Sequence, residues 1–257
     1  MDAYGKFAKV YDCLMEDVPY GEIANLIEEE IKAQGIENNI VLDLACGTGT
    51  LTGLLKEKGY DVIGADLSPE MLQVAKEKLP DVLFLNQAMN DFELYGTVGA
   101  ICCCLDSVNY LTEDGELDKM LHLCNNYLEP NGLLIFDVNS AYKFENILSD
   151  NIFTFDNDEI FYTWENDYDE NEGLCDFYLT FFVKDGERYI RFDETHTERV
   201  YRKEEIVKAL EKNGFTVKKI LDGFSKNEAT DTSERLLFVC ENTDSIQLKH
   251  TQSEGTR

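Results

Sequence analysis

One stretch decides the fold of this chain, Val41-Leu42-Asp43-Leu44-Ala45-Cys46-Gly47-Thr48-Gly49-Thr50. Its first half is an apolar run that carries one carboxylate, and its second half is a turn of small residues. The run predicts a short buried strand, and a helix is expected over about residues 50–58. Backbone amides in such a turn can approach a ligand closely, and the positive end of the helix points to the same place. The stretch therefore predicts either a ligand-binding turn or a glycine-containing connection without a function.

A second carboxylate, Asp66, follows the next predicted strand, residues 62–65, and lies 23 residues after Asp43. Ser68 and Pro69 come next and predict a helix start, with serine as the N-cap and proline at the first helical position. A carboxylate in this place can accept hydrogen bonds from the two hydroxyls of an adenosine ribose. Because the turn, the strand and the following helix occur in the order that a nucleoside site needs, Asp66 favours such a site over a helix cap or a solvated charge.

The residues around the turn argue against two common nucleotide sites. Gly47, Gly49 and Gly53 match the dinucleotide pattern G-x-G-x-x-G imperfectly, and the chain has no Tyr-x-x-x-Lys pair. It also has no G-x-x-x-x-G-K-[ST] motif, which excludes ATP on a P-loop. A nicotinamide-dependent oxidoreductase is kept as an alternative, although its pyrophosphate would add negative charge to a site without nearby basic residues.

Apolar strands alternate with amphipathic helices from residue 40 onward. This alternation predicts a parallel sheet with helices on both faces, which is a doubly wound α/β fold. Pro130-Asn131-Gly132 predicts a turn before the fifth strand. The predicted strands cover about residues 40–45, 62–65, 82–85, 100–105, 133–138, 216–221 and 235–240.

The segment before the first strand reads as helical over residues 4–34. Ile23, Leu26, Ile27 and Ile31 form one apolar stripe on an otherwise acidic helix, and Gly35 offers a C-terminal stop. This helix is expected to pack its stripe against the sheet.

Residues 150–201 have a different composition. Ten aromatic residues fall between Phe153 and Phe182, and acidic turns separate strand-like segments near residues 152–155, 160–164, 175–183 and 188–201. This pattern predicts an antiparallel β meander inserted into the α/β domain.

The balance of charge is strongly acidic, with 51 acidic against 23 Lys and Arg residues and a formal net charge of −28. Such a field repels a phosphate backbone, so no direct binding of nucleic acid is expected. It attracts a cationic small molecule, although solubility alone also explains an acidic surface.

The eight cysteines and three histidines show no spacing typical of a zinc site, so no metal is expected. Three of the cysteines are consecutive within an apolar run, which favours buried thiols in a reducing compartment, the cytoplasm. No signal peptide and no apolar run long enough to cross a membrane are visible.

Two motifs, Asp43-Leu44-Ala45-Cys46-Gly47-Thr48-Gly49-Thr50 and Ile63-Gly64-Ala65-Asp66-Leu67-Ser68-Pro69-Glu70-Met71-Leu72, resemble class I S-adenosylmethionine-dependent methyltransferases. Residues 4–12 and 104–111 are similar to a bacterial subgroup of this family whose substrates are mostly unassigned. The resemblance implies a Rossmann-like sheet of seven strands with the last strand antiparallel. It also implies a cofactor-binding domain over 1–149 and 202–242, with 150–201 as an inserted meander and 243–257 as a polar tail.

The resemblance implies S-adenosyl-L-methionine as the cofactor and assigns its contacts residue by residue. Asp43 would orient the turn or meet the ammonium group, and Asp66 would accept from the ribose. Ala88 stands where the family often has an acid, so the adenine amine would meet the backbone instead. The remaining cofactor contacts would come from Tyr11, Tyr20, Ala45, Cys46, Gly47, Gly49, Leu67, Met71, Gln87, Met89 and Leu105.

Two residues are candidates for catalysis. Asp106 follows the fourth strand at the carboxyl edge of the sheet, where open α/β folds bind ligands, although it could instead cap the next turn. His196 lies in the strand that returns from the meander and could accept a proton, although it could equally be an exposed histidine among acids.

The sequence thus predicts an S-adenosylmethionine-dependent methyltransferase that acts on a small-molecule acceptor. Alignment of the acceptor with the methyl carbon supplies most of the rate in such a displacement, so a base is optional. A non-catalytic binder of the cofactor, using the meander as a partner surface, stays open. The meander is accordingly expected either to cap the acceptor of a monomer or to form the surface of a homodimer.

Overall fold

The structure, a computed structural model, describes residues 10–243, so the predictions for residues 4–9 and 244–257 lie outside it. The helices are α1 (Tyr20–Gln34), α2 (Thr50–Glu57), α3 (Pro69–Lys78), α4 (Glu116–Tyr127) and α5 (Lys203–Lys212), with short helical turns at Ser107–Tyr110, Ala141–Lys143 and Phe144–Leu148. The strands are β1 (Ile40–Leu44), β2 (Asp61–Asp66), β3 (Leu83–Asn86), β4 (Val98–Cys103), β5 (Leu128–Asn139), β6 (Ile152–Asp156), β7 (Ile160–Asp169), β8 (Leu174–Asp185), β9 (Arg188–Arg199), β10 (Phe215–Asp222) and β11 (Arg235–Asn242).

A seven-stranded sheet forms the centre of the chain, with the strand order β10-β11-β5-β4-β1-β2-β3. The strands β1 to β5 pair in parallel, whereas β11 pairs antiparallel with both β5 and β10. Chain order reverses between β1 and β4, and such a reversal leaves a crevice at the carboxyl ends of the two strands. The doubly wound, seven-stranded sheet with an antiparallel last strand is therefore confirmed.

The helices cover both faces of this sheet with apolar side chains. On one face the stripe Ile23, Leu26, Ile27 and Ile31 of α1 is buried against strand residues such as Val41, as its spacing predicts. On the other face, helices α4 and α5 bury their apolar sides. Because both faces are covered, the central strands contain almost continuous runs of buried residues.

The single helix predicted over residues 4–34 is wrong in the described part. Residues 10–14 are helical, but α1 begins only at Tyr20, after an interruption at residues 15–19. Pro19 occupies the N-cap of α1, and because proline has no backbone N–H it suits the position before a first turn and not a helix interior. Gly35 ends α1 in the left-handed conformation, with a φ of 74°, as predicted.

The turn predicted at residues 130–132 is also wrong, because these residues lie within β5. These residues make the pairing of β5 with β4 irregular. Val98 pairs with Leu128 while Ala100 pairs with Leu133, and Asn131 takes a φ of 64°. The extra residues bend β5 without ending it.

A separate four-stranded antiparallel sheet follows β5, in the order β6-β7-β8-β9. We call it the inserted sheet. Its strands pair in continuous registers, from Ile152 opposite Glu165 to Asp185 opposite Arg188. The meander predicted for this region is confirmed as a sheet, whereas its role as a cap or a dimer surface stays a prediction.

Among the described residues, no helix combines the length and the apolar character needed to cross a membrane.

Gly99 in β4 is packed so tightly that a substitution at this position tests the packing of the sheet. A Cβ atom at this position would lie 2.1 Å from the carbonyl oxygen of Asn38, a backbone atom that cannot rotate away. We expect Gly99→Ala to lower the free energy of unfolding by about 1–3 kcal/mol, as overpacking does. Urea denaturation followed by circular dichroism measures it.

Gly21→Ala in α1 is the matched control, because no heavy atom lies within 4 Å of the added Cβ. Alanine there should raise the free energy of unfolding by up to about 1 kcal/mol. Equal effects of the two substitutions would contradict the packing.

Candidate active site

The glycine-rich turn leaves β1 and enters α2 at the carboxyl edge of the sheet. Gly47 and Gly49 have φ values of 54° and 78°, and a Cβ atom on Gly49 would lie 3.1 Å from the Cβ of Ala75. Gly49 is therefore required by both conformation and space. Ala45 has a φ of 60°, a conformation that strains an alanine and that glycine adopts easily.

Asp66 closes the turn from β2. Its carboxylate accepts hydrogen bonds from the backbone N–H groups of Gly47 and Ser68, each over 2.8 Å. These contacts use one acceptor position on each oxygen, so both oxygens can still accept a hydroxyl. Burial raises the pKa of Asp66. Beside it, the side chain of Leu67 is 71% exposed, an apolar surface next to a carboxylate. The pair fits a ribose and a base.

Asp43 is buried beneath the turn, at 2% exposure. It accepts a hydrogen bond of 2.5 Å from the hydroxyl of Thr52 in α2, and the thiol of Cys102 lies 3.7 Å from its other oxygen. Of its two expected roles, this geometry favours orienting the loop. Burial raises the pKa of Asp43 to about 6.

Tyr11 and Tyr20 lie over the turn, and their hydroxyl groups hydrogen-bond to each other. The ring of Tyr11 would lie 3.9 Å from a Cβ atom on Gly47. Burial raises the pKa of both tyrosines. The structure brings several predicted residues together around one cavity: Tyr11, Tyr20, Asp43, Ala45, Cys46, Gly47 and Leu105.

Asp12 fastens the helical residues 10–14 to the turn. It accepts a hydrogen bond of 2.5 Å from the hydroxyl of Thr48, and its second oxygen lies 2.5 Å from the ammonium of Lys78. This contact was not predicted from the sequence. The only signal for it was the polar Asp12 beside Tyr11.

The residues after β3 lie next to Asp66. The backbone N–H of Gln87 donates to the carbonyl of Asp66 over 3.0 Å, while the side chain of Gln87 accepts from the backbone of Glu93. Ala88 forms an isolated bridge with Asp91. Met89 packs against the core, and Met71 lies in the first turn of α3, so both supply apolar groups at this end of the site.

The turn after β4 is held by a carboxylate that the sequence analysis did not select. Leu105 and Asp106 both have positive φ values, 62° and 54°, although neither is glycine. Asp137 in β5 is fully buried and accepts hydrogen bonds from their two backbone N–H groups, over 2.7 and 2.9 Å. The sequence offered one signal for Asp137: like Asp43, it is an acid within an apolar strand.

Arg235, the first residue of β11, completes this cluster. Its guanidinium contacts Asp137 and lies 2.5 Å from the carboxylate of Asp106. Asp106 does not cap the following helical turn through its side chain, so the alternative of a helix cap is not observed. Its carboxylate is instead fixed at the carboxyl edge of the sheet, beside the cavity.

His196 lies on the inserted sheet and faces the same region. It is half-buried, and its ring meets the ring of Tyr110 edge to face, with centroids 5.9 Å apart. The alternative of an exposed strand histidine is therefore wrong. Burial lowers the pKa of His196, so the neutral imidazole predominates at pH 7.

Two buried side chains join the inserted sheet to the main sheet. Glu198 accepts a hydrogen bond of 2.9 Å from the amide of Asn139, and Lys143 donates to the same amide over 2.9 Å. Asn109 donates to the carbonyl of Arg199 and accepts from the backbone of Asn139. The guanidinium of Arg199 itself pairs with acids away from the cavity.

Comparison with known proteins identifies relatives across nearly the whole chain. The family model described as a methyltransferase domain matches residues 41–132. YqeM of Bacillus subtilis (strain 168), whose own assignment as a methyltransferase is provisional, is 36% identical over 247 residues, which cover 95% of this chain and 98% of YqeM.

A solved structure and a more distant enzyme extend the comparison. The crystal structure of an S-adenosylmethionine-dependent methyltransferase from Clostridium acetobutylicum ATCC 824 is 36% identical, with a TM-score of 0.87 over 95% of this chain and 100% of that chain. The dTDP-3-amino-3,4,6-trideoxy-alpha-D-glucopyranose N,N-dimethyltransferase of Streptomyces venezuelae is 35% identical over 133 residues, 51% of this chain and 56% of that enzyme.

The cluster around Asp137 predicts a large effect for Arg235. Replacing it with methionine leaves two carboxylates without their cation, one of them fully buried. We expect Arg235→Met to lower the free energy of unfolding by about 3–5 kcal/mol in urea denaturation. Arg191→Met, which removes an exposed ion pair with Asp193, should change it by no more than about 0.5 kcal/mol. Similar losses in the two variants would contradict a buried cluster.

The raised pKa of Asp43 predicts a pH-dependent stability. Its folded pKa of about 6 exceeds its ordinary value of 3.8. The protonated carboxyl therefore contributes stability that is complete below pH 4 and is lost as the pH rises through 6. Relative to the wild type, Asp43→Asn should gain about 3 kcal/mol in free energy of unfolding between pH 4 and pH 7. Urea denaturation across this range measures it, and a constant difference would contradict it.

Proposed function

Because the chain belongs to the class I S-adenosylmethionine-dependent methyltransferases, we propose that it methylates a small-molecule acceptor held between its two sheets. In this proposal residues 1–149 and 202–242 form the cofactor-binding domain. The inserted meander, residues 150–201, caps the acceptor of a cytoplasmic protein, and residues 243–257 are a polar tail.

One observation carries the proposal of a small acceptor. The hydrogen bond from Asn139 to Glu198 fastens the inserted sheet over the carboxyl edge of the main sheet. At this edge Arg235 holds Asp106, and His196 of the inserted sheet contacts Tyr110. A region covered in this way suits a small molecule better than a folded macromolecule. The dimethyltransferase of Streptomyces venezuelae, named for an amino sugar acceptor, is consistent with this.

The residues around the glycine-rich turn fit the cofactor. We assign the ribose hydroxyls to Asp66, the adenine to Leu67, Met71 and the backbone after β3, and the amino-acid portion to the turn itself. Acidic residues line the site, and they favour a cofactor that carries a sulfonium and an ammonium. The remaining assigned contacts are Tyr11, Tyr20, Asp43, Ala45, Cys46, Gly47, Gly49, Gln87, Ala88, Met89 and Leu105.

When bound, S-adenosylmethionine supplies a methyl group that is already activated by its sulfonium. The chain therefore has to align the acceptor and exclude water, and such alignment supplies roughly 7–11 kcal/mol. Asp106, fixed by Arg235, is a rigid carboxylate that orients the acceptor. His196, neutral at pH 7, accepts the proton that the acceptor releases.

Binding of S-adenosylhomocysteine tests the assignment of Asp66. We expect the wild-type chain to bind it in isothermal titration calorimetry and to be stabilised against heat. Asp66→Asn removes charge-assisted hydrogen bonds to the ribose, each contributing about 1.5–3 kcal/mol, so the affinity should fall at least 10-fold.

Asp61→Asn is the matched control, because Asp61 is exposed at the opposite end of the same strand. It should bind S-adenosylhomocysteine as the wild type does. Failure of the wild type to bind would overturn the proposed function. Equal affinity of the two variants would remove Asp66 from the site. Production of S-adenosylhomocysteine in a screen of small amines and alcohols then identifies the acceptor.

A further inference from the structure

The inserted sheet presents one face to the main sheet. Directly paired residues in an antiparallel sheet point to the same side, so the registers define this face. Trp164, Leu179 and Glu194 form one row across β7, β8 and β9, and Asn166, Phe177 and His196 form the next. Contacts of the Trp164 ring with those of Phe153 and Phe177 confirm the arrangement.

Three buried polar atoms on this face have no hydrogen-bond partner among residues 10–243, the part of the chain that the structure describes. They are the indole Nε1 of Trp164, the amide Oδ1 of Asn166 and the carboxylate Oε1 of Glu194. Glu194 is only 4% exposed and Asn166 only 7%. An unsatisfied buried polar group destabilises a fold, and a charged one does so more strongly. Three such atoms in two adjacent rows are therefore unexpected in a sheet that serves only as structure.

The two rows lie between parts of the sheet that are already covered. On one side, Val10, Cys13 and Leu14 pack against the row that contains Phe181 and Phe192. On the other side, Asn139 bonds to Glu198. On β9, Glu194 and His196 lie between these contacts, and His196 meets Tyr110 from the carboxyl edge of the main sheet. On β7 and β8, Trp164 and Phe177 of the same rows belong to one hydrophobic cluster with Phe144 and Leu148.

We propose that Glu194, together with Asn166 and Trp164, forms a binding site for a protonated amino group and neighbouring hydroxyl groups of the acceptor. This proposal rests on the proposed function, because it assumes that the acceptor lies between the two sheets. It makes Glu194 a specificity-determining residue that selects amino-substituted polyols over neutral ones.

The three atoms define the complementary ligand. Glu194 and Asn166 offer acceptors, one of them anionic, whereas Trp164 offers a donor. The ligand must therefore supply at least two donors, one cationic, and one acceptor oxygen. The amide nitrogen of Asn166 already donates to the carbonyl of Asn151 over 2.7 Å, which fixes the orientation of its free oxygen. Phe177 in the same row is buried against Phe144, with ring centroids 6.4 Å apart, and supports the ring of Trp164 from its edge.

The charge of Glu194 agrees with a cationic ligand. Burial raises the pKa of its carboxyl, because no positive group compensates the lost water. A bound ammonium would supply that compensation and keep the carboxylate ionised. A neutral polyol could not, so the site discriminates by charge.

Two glycosides that differ in one group test the proposal. The probes are methyl 3-amino-3-deoxy-α-D-glucopyranoside and methyl α-D-glucopyranoside, titrated into the full chain saturated with S-adenosylhomocysteine. We expect the amino glycoside to bind the wild type at least 10-fold more tightly than the neutral one, measured by calorimetry or by thermal stabilisation. Glu194→Gln should abolish this preference and leave the affinity for S-adenosylhomocysteine unchanged.

Glu165→Gln is the matched control, because Glu165 lies on the same sheet with its side chain exposed. It should keep the preference for the amino glycoside. Absence of the preference in the wild type, or its survival in Glu194→Gln, would overturn the proposed binding site. Failure of S-adenosylhomocysteine to bind any variant would instead reject the proposed function, so the two failures are distinguishable. Binding of S-adenosylhomocysteine by Glu194→Gln also establishes that this variant is folded.

Discussion

The site depends first on the buried carboxylate of Asp137. It accepts from two consecutive backbone N–H groups at Leu105 and Asp106, and so holds two side-chain-bearing residues in a conformation that usually requires glycine. A charge in this position is tolerable only because Arg235 neutralises it. Arg235 in turn begins β11, the antiparallel strand next to β5. The strand order thus brings Arg235 to Asp137, and this ion pair holds the turn after β4 and the position of Asp106.

A second polar network joins the inserted sheet to this arrangement. Asn139 extends from β5, two residues beyond Asp137, and its amide group serves Glu198 and Lys143 together. Amide hydrogen bonds are directional, so they fix one register of the inserted sheet where apolar packing alone would allow several. The inserted sheet is therefore positioned by the same strand that orders the turn after β4. This shared origin explains how His196 on the inserted sheet comes close to Tyr110 in the helical turn Ser107–Tyr110 that follows β4.

Local sequence patterns were sufficient to predict a doubly wound parallel sheet, the inserted sheet, the glycine-rich turn and the neighbourhood of Asp66, whereas the antiparallel last strand followed from the family resemblance. Each of these predictions used residues that lie within about 25 positions of one another, where the geometry of helices and strands fixes their relative positions. The helix over residues 4–34 was wrong because Pro19 interrupts it, and the turn at residues 130–132 was wrong because a strand can absorb extra residues as a bulge. Asp137 and Arg235 could not be paired from the sequence. They are 98 positions apart, and only the antiparallel return of β11 brings them together.

A few acids of this chain are buried near the site, whereas most of the 51 acids have no such place. Solubility requires acids on the surface, but Asp43, Asp137, Glu194 and Glu198 are all at most 4% exposed. Two buried or half-buried cations, Arg235 and Lys143, contact the polar groups around the site. The carboxylates there outnumber these two cations. A pyrophosphate would bring negative charge next to carboxyls whose pKa burial already raises, such as those of Asp43 and Glu198, which disfavours a nicotinamide dinucleotide. A sulfonium and an acceptor amine would both be attracted. The buried carboxylates therefore favour binding of cationic groups, which the acids on the surface do not explain.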